Sequence, residues 1–235
     1  MLLHHEAEEI VNKIISKVKS KGLKVRSIIV FGSAVRGGEF KPGVSDVDVV
    51  LIVDKLEDLK GERFDDISKR LELGIFTTGQ FLELYFSGDP LAHMIWLEGQ
   101  AIYDDGFYMR VKSKGKPRVT ELTIMKLKHW GLKDLVNALK SKSDPRTCLR
   151  ALHHAIRNFA RLRVARDKGI FIITDSDLLS ELDDALSAEY RKLLGMVSDG
   201  KESSDQLILE ALRLIERLYG DSLTLSRIYE GLNAE

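Results

Sequence analysis

The 235-residue chain has a single cysteine, Cys148, so an internal disulfide is excluded and a reducing cytoplasm is the simplest compartment to expect. No stretch approaches the ~20 apolar residues that a membrane span needs, so no membrane partner is expected. The opening run MLLHHEAEEI has acids where a secretory signal would carry its apolar region, and the mature chain is expected to start here. Internal repeats and low-complexity tracts are missing. Net charge is missing too, because Lys+Arg and Asp+Glu both total 36. What is present is an ordinary globular balance of 44% hydrophobic and 31% charged residues, which rules out disorder as the main state. The length suits two domains of roughly 100–130 residues each.

The charge is unevenly distributed. Residues 112–168 carry 16 Lys/Arg against 4 Asp/Glu, whereas residues 169–235 carry 6 against 14. Such a split fits either an anion held by the middle segment or basic and acidic helices packed together. A polar run from Val111 to Arg118, with Gly115 and Pro117 unfit for a helix or strand interior, marks a boundary. The expected domains are therefore 1–114 and 115–235.

Before the boundary the pattern is mixed. Ile10, Val11, Ile14, Ile15 and Val18 fall at helical spacing, and Gly22 ends that helix. Strands are expected over Lys24–Phe31, Asp46–Val53 and Gln80–Phe86, helices over Glu62–Leu73 and Pro90–Glu98, and an extended return over Ala101–Tyr103. After the boundary every long segment reads helical: Val119–Lys140, Asp144–Asp167, Asp175–Ala185, Ala188–Met196, Ser204–Tyr219 and a short tail helix after Asp221. Asp144 (followed by Pro145) and Asp175 are placed as N-caps. The fold class is α+β, a mixed-sheet domain followed by an all-α bundle.

The chemistry concentrates at Phe31-Gly32-Ser33 and Asp46-Val47-Asp48. Gly32 and Ser33 close one strand and open a glycine-rich turn, and the paired aspartates open the next. Because side chains alternate along a strand, Asp46 and Asp48 are expected on the same face, about 6.6–7 Å apart. That spacing suits two carboxylates gripping two cations ~3.5–4 Å apart. Val47 and Val49 would face the other way, under a helix. Glu83 is the expected third carboxylate, since a charge inside an otherwise apolar strand needs water, a partner or a metal. Like charges 4 Å apart repel by about 4 kcal/mol at an effective dielectric of 20. Clustered acids therefore call for a hard cation such as Mg²⁺. Gly32 allows close backbone approach to a phosphate, Ser33 can donate to it, and Arg36 can add a bidentate charge.

The stretch FGSAVRGGEFKPGVSDVDVVLIV resembles the signature of nucleotidyltransferases of the DNA polymerase beta superfamily, in particular their minimal branch. Phe31, Gly32, Ser33, Arg36, Gly37, Ser45, Asp46 and Asp48 match it, and Leu91–Tyr103, with its Glu98-Gly99 turn, is also similar. The resemblance covers about residues 5–110. The helical half is more loosely similar, over Leu149–Leu179, to the HEPN or substrate-binding bundles that accompany such domains, as in kanamycin nucleotidyltransferase. What the resemblance implies is transfer of a nucleoside monophosphate, AMP foremost, from a nucleoside triphosphate to an acceptor hydroxyl, with release of pyrophosphate. Two Mg²⁺ ions would sit on Asp46, Asp48 and Glu83, and Gly32, Ser33, Arg36 and Ser45 would line the nucleotide's phosphates. The acceptor could be a small molecule, a protein or an RNA end, lying between the domains, and a homodimer is compatible with the sequence. Two other classes stay open: a toxin–antitoxin-type regulator that adenylylates a protein or tRNA, and a nucleotide-binding module without catalysis. The intact Asp46/Asp48 pair argues against the latter.

Arg146, Arg150, His153, Arg157 and Arg161 fall on one face of the Asp144–Asp167 helix. They form either an anion-binding wall or else a solvated face or a surface that pairs with the acidic C-terminal helices or a second subunit, the simpler reading. The Arg146…His153 spacing is also compatible with a HEPN-type nuclease. Cys148 reads as a packing residue.

Overall fold

The computed structural model describes residues 3–199, 204–220 and 225. The expected tail helix after Asp221 falls outside them but for residue 225. The chain divides into two compact units, residues 1–117 and 118–235. Among the described residues no helix is long and apolar enough to cross a membrane.

The first unit is built on a four-stranded mixed sheet of order β3-β2-β1-β4. Helix α1 (His5–Ser20) leads into β1 (Ser27–Phe31), a one-turn 3-10 helix (Gly32–Val35) and β2 (Val47–Val53). Then come β3 (Leu71–Thr77), α2 (Thr78–Ser87), α3 (Pro90–Glu98), β4 (Gln100–Asp104) and α4 (Phe107–Lys112). β1 runs antiparallel to β2 and β4, and β2 runs parallel to β3. Alternation sorts the central strands into two cores. Ile28, Val30, Val47, Val49 and Leu51 pack with Ile10, Val11 and Ile14 of α1. Ile29, Phe31, Val50 and Ile52 pack with Phe81, Tyr85 and Ile95 of α2 and α3. Covered on both faces, β1 and β2 read as continuous apolar runs.

Two expected elements are replaced. Glu62–Leu73 is not a helix: its first part is irregular, and β3 begins at Leu71. Leu71, Leu73 and Ile75 alternate toward the α1 core, a period of two that the helix-favouring Arg-Leu-Glu-Leu run masks. Gln80–Phe86 is not a strand but the body of α2. There Phe81 and Tyr85, four apart, are the buried pair, as one helical face requires. Thr77 and Gln80 cap each other reciprocally, and Gly88 ends the helix in the left-handed region.

The second unit is all helical among its described residues: α5 (Glu121–Lys140), α6 (Pro145–Lys168), α7 (Asp175–Glu181), α8 (Asp184–Asp199) and α9 (Ser204–Tyr219). Asp144 caps α6 through Thr147, with Pro145 in the first turn. α6 is central, touching each of the other four. Gly131 lets α5 approach it, since a Cβ there would lie 2.7 Å from the Phe159 ring. Cys148 is fully buried in this core. Thr174, not Asp175, caps α7. That helix stops at Glu181, and Asp183 accepts the Leu186 N–H at 2.9 Å at the start of α8.

Candidate active site

Residue 48 is where the first unit's chemistry gathers. Asp48 sits one residue into β2, on the face it shares with Val50 and Ile52. Its Cα is paired with Phe31 across the antiparallel ladder and with Glu72 across the parallel one. Neighbouring strands are about 4.8 Å apart, so Glu72 projects beside Asp48 on the same face. Asp46 precedes the strand rather than belonging to it, and the adjoining Val47 N–H donates to the Arg70 carbonyl at 2.8 Å. Burial, then the charges of Glu72, Asp46 and Glu98, push the Asp48 carboxyl up to about 7, with Arg36 opposing. Burial is the larger cause, and the neighbouring carboxylates add to it.

Glu83 does not belong to this group. It lies on α2 and is exposed. The strand expected to carry it does not exist, and the acid that shares the ladder with Asp48 is Glu72. The signal for it is the Leu-Glu-Leu alternation of residues 71–73, an acid flanked by apolar neighbours that point to the opposite face.

The turn after β1 is held from below. Gly32 has a φ of +74°, and a Cβ on it would lie 2.2 Å from Asp48 Oδ2. Its N–H donates to Glu98 Oε1 at 2.9 Å. Arg36 donates through Nη1 to Glu98 Oε2 at 2.5 Å and through Nε to Glu39 at 2.8 Å. Burial alone would lower the Arg36 pKa, but the Glu98 and Glu39 carboxylates outweigh it and hold it above the usual value. Ser33 is half-buried in the turn, and Ser45 Oγ accepts the Lys41 N–H at 2.9 Å, closing the loop ahead of Asp46. Glu6, on α1, receives the Gly43 N–H at 3.0 Å and Arg70 at 2.8 Å, fastening that loop to the helix. Glu98, Glu6 and Glu72 are the site's neighbours that spacing alone did not single out.

Among the described residues no three His, Cys, Asp or Glu side chains are already drawn into a cation cage. The chemistry of the acids, not a formed cage, is what a hard divalent cation would meet here. Asp48 and Glu72 are oxygen donors of one sign side by side on β2 and β3, and Glu72 is open to solvent.

The basic face of α6 is largely spoken for within its own unit. Arg157 makes two bonds to Asp175, at 2.8 and 2.6 Å, and His153 Nε2 lies 2.9 Å from the same carboxylate. Tyr190 donates to it at 2.5 Å. Burial would raise the Asp175 pKa, but these partners hold the carboxyl well below the usual range. Arg161 is buried and donates to the Ile173 carbonyl at 2.6 Å. Burial and surrounding positive charge push His154 down to about 4, so it is neutral. Arg146 and Arg150 are exposed. His153, Arg157 and Arg161 are thus paired with the segment that leads into and begins α7.

Residues 11–82 match the family model of the nucleotidyltransferase domain. That span contains the Gly32 turn, Asp46, Asp48 and Glu72. Among solved structures, the chain is similar to spectinomycin adenyltransferase AAD(9) from Enterococcus faecialis, determined with ATP and spectinomycin. The two share 18% identity over 91% of this chain and 98% of that one, with a TM-score of 0.57, a likeness of fold. A nucleotidyltransferase-like protein from Exiguobacterium sibiricum also matches, at 18% identity over 98% of this chain and 80% of that one, with a TM-score of 0.43. No curated protein matches in sequence.

Proposed function

We propose that the protein is a Mg²⁺-dependent nucleotidyltransferase that moves a nucleoside monophosphate from a nucleoside triphosphate to an acceptor hydroxyl, releasing pyrophosphate. The observation that carries the reading is the convergence of Asp46 and Glu72 on Asp48 beside the Gly32–Ser33 turn, within the segment that matches the nucleotidyltransferase model. ATP is the proposed donor and a small polar molecule the proposed acceptor, in keeping with the ligands of the adenyltransferase that shares the fold.

Asp46 and Asp48 would hold the two Mg²⁺ ions, with Glu72 as the third carboxylate. Bound there, the ions would supply charge neutralisation for the phosphates and a lowered pKa for the attacking hydroxyl. The chain's own part is positional. β2 and β3 hold Asp48 and Glu72 in register, so little reorganisation is needed when substrate arrives. Ser33 offers a hydroxyl donor to the phosphates at the turn, and Arg36 presents its positive charge from its anchor on Glu98. Glu72, exposed on β3 beside Asp48, would complete the carboxylate set from the solvent side.

The test is incubation of the purified chain with Mg²⁺, each of the four labelled nucleoside triphosphates and a panel of hydroxyl-bearing acceptors. Pyrophosphate release and label on an acceptor, both abolished by EDTA, are expected. Retention of all label in intact triphosphate across the panel overturns the reading.

A further inference from the structure

Resting on that reading, we infer that Glu98 is a positioning residue of the nucleotide site, holding Arg36 and the Gly32 turn in their working places rather than yielding them to phosphate. Glu98 ends α3, the helix that packs on β1 and on the 3-10 turn. A carboxylate at a helix C-terminus meets the negative end of the dipole and is misplaced there unless something compensates. Here two donors compensate: the Gly32 N–H at 2.9 Å on one oxygen and Arg36 Nη1 at 2.5 Å on the other. The side chain is only 11% exposed.

A phosphate could take over both of these bonds only by evicting Glu98, although the guanidinium has further N–H groups to offer it. The evicted carboxylate would be left nearly buried and unpaired, at the dipole's negative end, with Asp48 close enough to feel its charge. Such an unpaired buried charge is costly. Glu98 therefore stays, and its two bonds do two jobs. One fixes the turn at the point where Gly32 lies against Asp48. The other points a guanidinium toward a site otherwise crowded with acids, where it opposes their repulsion.

Four proteins test this: wild type, Glu98→Gln, Arg36→Gln and the double variant. In Glu98→Gln the new amide oxygen can still accept from Gly32, but the amide NH₂ cannot accept from Arg36, so the substitution isolates the second bond. Equilibrium dialysis of ATP with Mg²⁺ should show about tenfold weaker binding for each single variant and about tenfold, not a hundredfold, for the double. Transfer assays should show the loss mainly in KM. Thermal unfolding of the four ligand-free proteins runs alongside. Coupling in unfolding with none in ATP binding makes Glu98 merely structural and overturns the inference, as does additive loss. Tighter ATP binding by Glu98→Gln also overturns it, by making Glu98 a competitor of phosphate. Failure of the wild type to bind any Mg²⁺–nucleoside triphosphate is a different result, which removes the transferase reading itself and this inference with it.

Discussion

Asp48 Oδ2 fills the space in which a side chain on residue 32 would begin, 2.2 Å from the ideal Cβ position. Glycine is required there twice over, by the φ of +74° and by the carboxylate itself. Gly32→Ala should destabilise the protein by roughly 1–3 kcal/mol. Because relief of the clash must push Asp48 aside, transfer activity should fall further than stability does. Denaturant melts and initial rates on the same preparation separate the two.

Asp48 binds its proton more tightly in the folded chain than in the unfolded one, with a carboxyl pushed up to about 7. The ligand-free protein therefore loses stability as pH rises from about 4 to about 7, and the penalty stays constant above that. Asp48→Asn removes it. Thermal unfolding should find D48N more stable than wild type above pH 7, by up to roughly 4 kcal/mol, and equal to it near pH 4. Mg²⁺ should raise the wild type's unfolding temperature above pH 7 and leave D48N unmoved. Transfer by D48N should be lost, so the variant is more stable and inactive at once.

Glu72 and Glu83 offer a direct contrast. Glu72→Gln should lower the transfer rate by at least about a hundredfold, the size expected when a proton-transfer or charge-stabilising group is removed. Glu83→Gln, on the exposed face of α2, should stay within about twofold of wild type. Equal losses in the two variants would return the third carboxylate to an open question.

In the helical unit, Asp175 gathers Arg157, His153 and Tyr190 from α6 and α8. Asp175→Asn leaves the Arg157 charge without its counter-ion and should cost about 3 kcal/mol, read from urea melts at neutral pH. A carboxyl held below its usual range stabilises the fold above pH ~4 and stops doing so as pH falls through its folded value. The gap between wild type and D175N should therefore narrow in acid.

The element order explains what can be read from residues alone. β1, β2, α1, α5, α6 and α9 announce themselves, because local periodicity and caps such as Asp144-Pro145 are properties of contiguous sequence. Likewise the Gly-Ser turn and Asp46-x-Asp48 are legible at their spacing. The segment 62–86 misleads in both its parts, since short apolar runs fit a helix and a strand equally well. There only the docking of Leu71, Leu73 and Ile75 on α1, and of Phe81 and Tyr85 on the opposite core, chooses between them.

Sequence by itself settled the α+β class and brought Asp46 and Asp48 to notice, because both are local patterns. Tertiary structure alone set Glu72 beside Asp48 and anchored the turn. Glu72 is a neighbour of Asp48 only through parallel strand pairing, and Glu98 reaches Gly32 and Arg36 from more than sixty residues away. Register and packing between distant segments follow from burying both faces of one sheet together, and no window along the chain contains that information.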